Sequence, residues 1–531
     1  MQERSGPILL MIAFGAMLGF VVFLLVGPRD ASGDTLAGSA TTVAPDPGDG
    51  GSGTTSAPGS TTGDVDATTT TTLPGLDREP NTVPGATVGR PWGSITGLSM
   101  FRGNPTRTFY GTGPISGSPS QIWSYPDSGM CSQSTNLGQT TTWCGMGWTG
   151  QPAVWERPDG VTELIFGAYD RAIHFVDAAT GQDLRSRFVT GDIIKGSVTV
   201  DPDGFPLLYS GSRDNKLRII ALDRSEPTEL WSLDAYDVEG TWNDDWDGNP
   251  LIIDDIMYEG GENGWFFAYQ LNRGYDGSGL VTVEPERLLA MPGYDSELRS
   301  LAGGNLSIEN SVAAYEQRVY FANSAGRVVG LDVSEIRDGN APVVFDYYAG
   351  GDIDASIVID ADGMLYVSVN VKPAQVGQGY RTAGNIERTR EVGQLIKLDP
   401  YTSSDPLVWG VDLTAEGGDS GTWATPALHD GLLYTNTHLG SLIAVDAATG
   451  DVVWRDGTVG WHSWSSPAVV DRTLVVATCV GDLRGYSLED PRAPQLSWTV
   501  PVGESCLEAT PAIWNGVIYL GSRDGYIRAF K

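Results

Sequence analysis

From about residue 121 to Lys531 the sequence repeats itself at intervals of roughly 40 residues, a period that points to a ring or stack of small antiparallel sheets. The clearest copy, Trp423 to Trp454, reads WATPALHDGLLYTNTHLGSLIAVDAATGDVVW. Pro426 opens a strand, His429-Asp-Gly makes a hairpin turn, and Leu432 to Asn436 is the next strand. His438-Leu-Gly turns into a third strand, Ser441 to Asp446, and Ala448-Thr-Gly into a fourth, Asp451 to Trp454. Seven further copies begin near Trp148, Lys195, Trp246, Ile308, Ile353, Trp464 and Glu508. The last stops after its third strand, and Gln121 to Tyr125 (QIWSY) resembles the strand it lacks. An early strand that completes the last sheet closes the ring and leaves no open edge. The expectation is an all-β, eight-bladed β-propeller; seven blades would follow if one divergent copy within 242–350 were not a blade.

What precedes the repeats is of another kind. Ile8 to Val26 is an uncharged run of 19 apolar or small residues. As a helix it spans roughly 28 Å, enough to cross a bilayer core. A cleaved signal peptide is the competing reading, but its apolar core should be shorter and end in a small-residue site. Residues 27–90 are rich in Thr, Ser, Gly and Pro, with an unbroken Thr run from 68 to 72. Such a stretch buries too little apolar surface to offset chain entropy. The expected order is a short cytoplasmic tail (1–7), a transmembrane signal anchor (8–26), a disordered stalk (27–90) and the propeller (91–531). The propeller then lies outside the cell membrane, held by one helix.

Lys+Arg number 33 and Asp+Glu 66, a net charge of −33, which excludes a nucleic-acid partner that must be met by basic surface. Four cysteines in an exported chain suggest two disulfides. Cys131 and Cys144 stand 13 residues apart. Cys479 ends a second strand and Cys506 precedes the first strand of the next copy, so these two meet on one face of neighbouring blades.

The run Ala444–Trp454, AVDAATGDVVW, resembles the tryptophan-docking repeat of pyrroloquinoline-quinone (PQQ)-type propellers. Asp223…Trp231, Asp177…Gly181 and Asp399…Trp409 match it in part, and FRGNPTRTFYGTGP at Phe101–Pro114 is similar to the family's lead-in. The resemblance covers about 100–531 and implies the propeller fold, with most of the 16 Trp serving as packing between blades. It implies two kinds of activity: quinoprotein dehydrogenases, which hold PQQ and Ca²⁺ on the axis, and non-catalytic scaffolds of outer-membrane assembly. The sequence has no Cys-Cys pair and no C-x-x-C-H haem site, which sets it apart from the alcohol dehydrogenase type. The expectation is therefore a binding or scaffolding module of the cell envelope with no catalysis and no resident cofactor. A quinoprotein dehydrogenase using PQQ and calcium, and a polysaccharide binder stacking sugars on Trp423, Trp461 and Trp464, are the alternatives.

A propeller says where a ligand would sit: residues just before each first strand, and the turns between second and third strands, line one mouth of the channel. Aligned at Pro152, Pro250, Pro426, Pro467 and Pro511, with Ser197, Ser311 and Ser356 as equivalents, the copies bring Trp148, Lys195, Trp246, Asp247, Asn249, Glu309, Asn310, Asp354, Trp423, Trp464 and Glu508 there. The turns add Asp170, Arg171, Arg213, Asp214, Glu262, Asn263, His438, Arg523 and Asp524. The ligand-binding candidates are Asp247, Glu262, Asn263, Glu309, Asn310, Asp354, Trp423, Trp464 and Glu508. Of these Asp247, Glu262 and Glu309 offer the oxygen donors that Ca²⁺ prefers. A solvated acidic rim is the plainer reading, since no spacing here matches a Ca²⁺ loop. His438 and His462 fall on neighbouring blades but lack a third zinc ligand.

Overall fold

The computed structural model describes residues 87–136, 138–148, 150–371, 383–413, 421–460 and 463–531. The expected anchor at 8–26 and nearly all of the expected stalk lie outside them. Among the described residues no helix is long and apolar enough to cross a membrane.

Eight antiparallel sheets form the blades, and each repeat supplies one. Blade 1 is built on Ala153–Glu156, Thr162–Ala168 and Ala172–Asp177; blade 6, the clearest copy, on Ala427–His429, Leu432–Asn436, Leu442–Asp446 and Val452–Asp456. Alternation along these strands puts one row of side chains on each neighbouring blade, so both faces are apolar and buried. Blade 8 takes Ala512–Trp514, Val517–Gly521 and Ile527–Phe530 from the end of the chain and its outer strand, Gln121–Tyr125, from the beginning. The ring is closed as the last repeat's missing strand requires.

Successive blades are joined around the axis by a hydroxyl relay. The Ser311 N–H donates to the Ser356 hydroxyl, Ser356 N–H to Thr425, Thr425 N–H to Ser466 and Ser466 N–H to Thr510. Gln151 N–H donates to Ser197 in the same way, and Thr510 N–H to the Gly150 carbonyl. This corrects the alignment above by one residue: Ser197, Ser311 and Ser356 are equivalent to Thr425, Ser466 and Thr510, which precede the prolines. The position is chosen for an acceptor that meets the previous blade's N–H, a role invisible within one repeat.

Further out, tryptophan docks the blades. The Trp123 indole N–H donates to Ala178 O at 3.1 Å, and that of Trp409 to Ala447 O at 3.2 Å. Both acceptors open an Ala-Ala-Thr-Gly turn, whose glycine (Gly181, Gly450) lies under the indole with positive φ.

The lead-in is the main departure from a plain ring: it fills the channel. Thr96–Leu98 adds a fifth, innermost strand to blade 1. Ser99 O accepts from Val200, Ile252 O from the Trp92 indole, Pro105 O from Ala314, Thr106 O from Ile359, and Ile513 O from Thr112. The Arg102 guanidinium donates to Pro426 O and Pro467 O at 2.7 and 2.8 Å. Every blade is touched. Arg102 and Arg107 are wholly buried in this plug, and burial, with Arg102 beside it and Glu259 opposing, brings Arg107 down to about 9. The plug runs along the first strands and reaches the turns between first and second strands at Pro202 and Gly516, where Ser94 N–H donates to Pro202 O and Gly516 N–H to Thr112 O.

Cys131–Cys144 ties the hairpin Cys131–Asn136/Gln139–Cys144, and Cys479–Cys506 ties blade 7 to blade 8. Their Cα separations are 4.1 and 3.9 Å. Two disulfides and no free cysteine among the described residues are the mark of an oxidising, extracytoplasmic compartment.

Candidate functional site in the propeller mouth

The mouth is lined from the position two residues before the hydroxyl relay. On blades 2 to 8 it holds Lys195, Asp247, Glu309, Asp354, Trp423, Trp464 and Glu508. Charged groups thus occupy blades 2 to 5 and 8, and indoles blades 6 and 7, with Trp148 of blade 1 beside them.

Two centres result. In the first, Lys195 is driven between three carboxylates that come from blade 3: its ammonium lies 2.9 Å from Asp245 Oδ2, 2.8 Å from Glu262 Oε1, and also against Asp247 Oδ2. Arg213 shares Asp245 at 2.9 Å, and Asn243 donates to Glu262 at 2.6 Å. All three carboxylates are buried, and their oxygens lie within 4.8 Å of one another, as a metal would ask. The position between them is held by the chain's own ammonium. Burial works against the Lys195 charge, but Asp245, Asp247 and Glu262 carry it well above the ordinary lysine value. Burial and then the neighbouring Asp245 push Asp247 well above the carboxylate range. Glu262 goes the other way: burial would raise it, and Lys195 holds it below its ordinary value. Burial and the neighbouring charges thus pull these two carboxyls in opposite directions.

The second centre is an indole box. A narrow cavity on the axis is lined by Trp148, Trp423, Trp464, Glu309 and Asp354. Trp464 meets Trp148 edge to face at 5.0 Å and Trp423 at 5.1 Å, and Trp423 meets the His438 ring at 4.5 Å. Ser324 Oγ lies 3.3 Å from Glu309 Oε1 and 3.1 Å from Asp354 Oδ1, so its one O–H proton is shared between the two carboxylates. Ser307 adds a hydrogen bond of 2.7 Å to Glu309. The two centres touch at Trp148, over whose ring the Lys195 ammonium sits at 4.9 Å.

The disulfide hairpin lies over one side. Its Trp143 packs on Tyr169 at 5.4 Å, with the guanidinium of Arg523 at 4.8 Å from the Trp143 ring. Arg523 is paired with Glu508 at 3.0 Å; burial raises that carboxyl above its ordinary value despite the partner.

The three proposed calcium donors do not form one group. Asp247 and Glu262 share Lys195 with Asp245, whereas Glu309 belongs to the indole box. The amides of Asn263 and Asn310 are spent on backbone: Asn263 on Ala235 O and Trp265 N–H, Asn310 on Ala322 and Ile353 O. Asn249 faces the plug, accepting from Phe101 N–H at 3.0 Å, and Trp246 is buried between blades with its indole on Asn215 O. Of the turn residues, Asp170 holds His174, Arg171 meets Gln133 O, Asp214 holds Arg218, and Asp524 holds Arg528. Trp461 and His462 lie outside the described residues. Asp245 was not among the candidates; the opposite charge of Lys195 at a mouth position otherwise rich in carboxylates was the signal that could have found it.

Fold and mouth together define a closed, plugged β-propeller with one blind, aromatic and acidic mouth. Its C-terminal part is similar to PQQ-type propellers: residues 391–531 match the family model described as outer membrane protein assembly factor BamB. The quinohemoprotein alcohol dehydrogenase of Comamonas testosteroni superposes over 82% of this chain and 80% of its own, with TM-score 0.52 and 13% identity. Quinohemoprotein alcohol dehydrogenase ADHIIG of Pseudomonas putida HK5 does so over 85% and 82%, with TM-score 0.53 and 12% identity. At such identity the likeness is one of fold. No curated protein matches the chain significantly.

Proposed function

We propose that the protein is a ligand-binding module of the cell envelope, held at the membrane by the apolar segment 8–26 through the stalk, with the propeller outside. One observation carries the binding role: the plug seals one end of the channel, and the open end gathers three indoles around a cavity. Aromatic walls with a few fixed polar groups are what small-molecule sites are made of.

The quinone fits this mouth poorly. PQQ is a planar tricarboxylate, and the indoles that would have to flank it are packed edge to face against one another on the axis. Among the described residues the cations of the mouth are committed, Lys195 and Arg213 to the blade 3 carboxylates and Arg523 to Glu508. Glu309 and Asp354, which line the cavity, have the same sign of charge as the cofactor.

Two experiments on the full chain test this reading. Protease added to intact spheroplasts should digest or release the propeller; full protection would reverse the topology. Incubation with PQQ and Ca²⁺ should leave the protein without quinone absorbance and without dye-linked alcohol oxidation. Gain of both, lost again in Glu309→Gln, would make it a quinoprotein.

A further inference from the structure

We infer that the flank of the propeller between blades 4 and 5 docks an extended segment of a partner protein, which adds a strand to the outer edge of blade 4. The inference does not depend on what the mouth binds. It starts from a missing dock. In blades 5, 6 and 7 the fourth strand carries a tryptophan at one register position, Trp409, Trp454 and Trp498. In blade 4 that position, opposite Gly330, is Phe345, which has no N–H to donate. The seat is altered as well. Blade 5 turns through Pro400-Tyr-Thr-Ser-Ser-Asp-Pro406 in place of Ala-Ala-Thr-Gly. The Pro400 carbonyl, the counterpart of Ala447 O, accepts from Arg318 at 3.0 Å. Where indole and seat are both replaced, a groove of about 550 Å³ lies open, with Val343, Val344, Tyr347, Arg388, Ser403 and Pro406 on its walls. At the seam of blades 3 and 4 Leu289 also takes the indole's place, but there Ile336 packs into the same cluster.

One wall is the strand Val343–Tyr348, the last of its sheet, paired on its inner side with Arg327–Asp332. Its sequence, VVFDYY, is β-branched and aromatic with no proline, and its one charge, Asp346, is held by Arg327 at 2.8 and 2.6 Å. Val343 and Val344 are 46% and 38% exposed. An apolar outer edge is a template for another strand, and proteins commonly blunt it with lysine or proline. The outer strands of blades 3 and 7 end in Pro292 and Pro501; this one has no such guard. The groove selects a thin occupant. A second propeller would meet this flank with one convex rim, a contact too narrow for the roughly 800 Å² per partner of a stable interface. An extended chain instead enters between the blades and pairs along the strand, a length of about 20 Å. Charge sets its direction. At the mouth end of the strand Arg388 donates to Tyr348 O at 3.2 Å and to the Tyr347 hydroxyl at 3.3 Å. Its carboxylate neighbour is Glu391, an exposed residue of the same helix (Ala383–Val392), and a surface pair of that kind is weak enough to give way to a better one. A strand added antiparallel begins at Arg388, so the segment carries its acidic residue first and apolar residues at alternate positions after it.

The test is a titration of a fluorescein-labelled, amidated hexapeptide, Asp-Val-Thr-Val-Thr-Val, with the detergent-solubilised full chain, read by fluorescence anisotropy. It should bind saturably, and the same peptide with lysine first about tenfold more weakly. Methylating alternate peptide nitrogens removes the donors of the ladder and should abolish binding. Val343→Lys should weaken the peptide by about tenfold or more, whereas Val452→Lys, at the counterpart position on the outer strand of blade 6 and 38% exposed, should leave it unchanged. Arg388→Glu should reverse the preference between the acidic and the lysine peptide, a gain that misfolding cannot mimic. Melting temperatures check that the variants are folded. No saturable binding, equal binding of the methylated peptide, or equal loss in Val343→Lys and Val452→Lys would overturn the inference. Concentration-dependent self-association in sedimentation, abolished by Val343→Lys, would give the edge to a second copy of the chain and overturn the partner reading too.

Discussion

Trp409 of blade 5 lies on Gly450 of blade 6 so closely that a Cβ at that glycine would come within 2.8 Å of the indole. The residue also has φ +80°, where L side chains are strained. The Ala-Ala-Thr-Gly signature is thus a seat: the first alanine's carbonyl takes the indole N–H, and the glycine makes room for the ring.

Gly450→Ala should lower stability by the left-handed penalty of about 1–2 kcal/mol plus about 1–3 kcal/mol for overpacking. Gly431→Ala is the control, since that glycine has φ +73° and nothing within 4 Å of its added Cβ. Calorimetric melting of the two variants should show the larger drop for Gly450→Ala; equal drops would mean that strain alone is measured.

Lys195→Met leaves three buried carboxylates without their ammonium and should cost about 3–5 kcal/mol. It should also open a Ca²⁺ site on Asp245, Asp247 and Glu262. Added Ca²⁺ should raise the melting temperature of the variant well beyond the effect of Mg²⁺ and leave the native protein unmoved. A Ca²⁺ response of the native chain would show that the ammonium does not hold the site.

Glu259 predicts a pH dependence. It is buried on the second strand of blade 3, and among the described residues neither carboxyl oxygen has a hydrogen-bond partner. Burial, opposed only by Arg107, pushes it well above the carboxylate range. A carboxyl raised in the folded state favours folding below its unfolded pKa and loses that contribution as pH rises through its folded pKa. Glu259→Gln should therefore gain stability over the native chain as pH rises from about 4. A difference in melting temperature that stays flat across pH 4 to 8 would count against a neutral Glu259.

Replacing Cys479 and Cys506 together with serine should cost about 3.5 kcal/mol, the loop-closure entropy of a bridge spanning 27 residues. Peptide mapping without reductant should find Cys131–Cys144 and Cys479–Cys506; a Cys131–Cys479 peptide would contradict the structure.

The blade count and the closing strand were legible because each sheet imposes its own period, and a repeat cut short at Lys531 leaves a gap that QIWSY fits. The mouth was legible for the same reason: Glu309, Asp354, Trp423 and Trp464 recur at one place in every copy. The alignment slipped by a residue where proline gives way to serine, because the hydroxyl answers an N–H on another blade. Asn263 and Asn310 have the donors of a ligand site but are consumed by their own turns, which leave backbone groups to satisfy. Lys195 and Glu262 are 67 residues apart. No local pattern announces their ion pair; only the closing of blade 2 on blade 3 brings them together.

The plug has a consequence for the order of assembly. Residues 92–112 are among the first of the propeller to be made, yet their partners are spread from Gln151 to Gly516. They can settle only when all eight blades stand in a ring, and so can the strand at Gln121–Tyr125, which waits for Ile527–Phe530. The early segment must stay unpaired through most of synthesis and export, with the loop-closure entropy of nearly the whole domain still to be overcome. A chain cut short by one blade would lose a wall of its own channel and strand two buried-type arginines, Arg102 and Arg107, in water. The last contacts to form thus join segments that lie about four hundred residues apart.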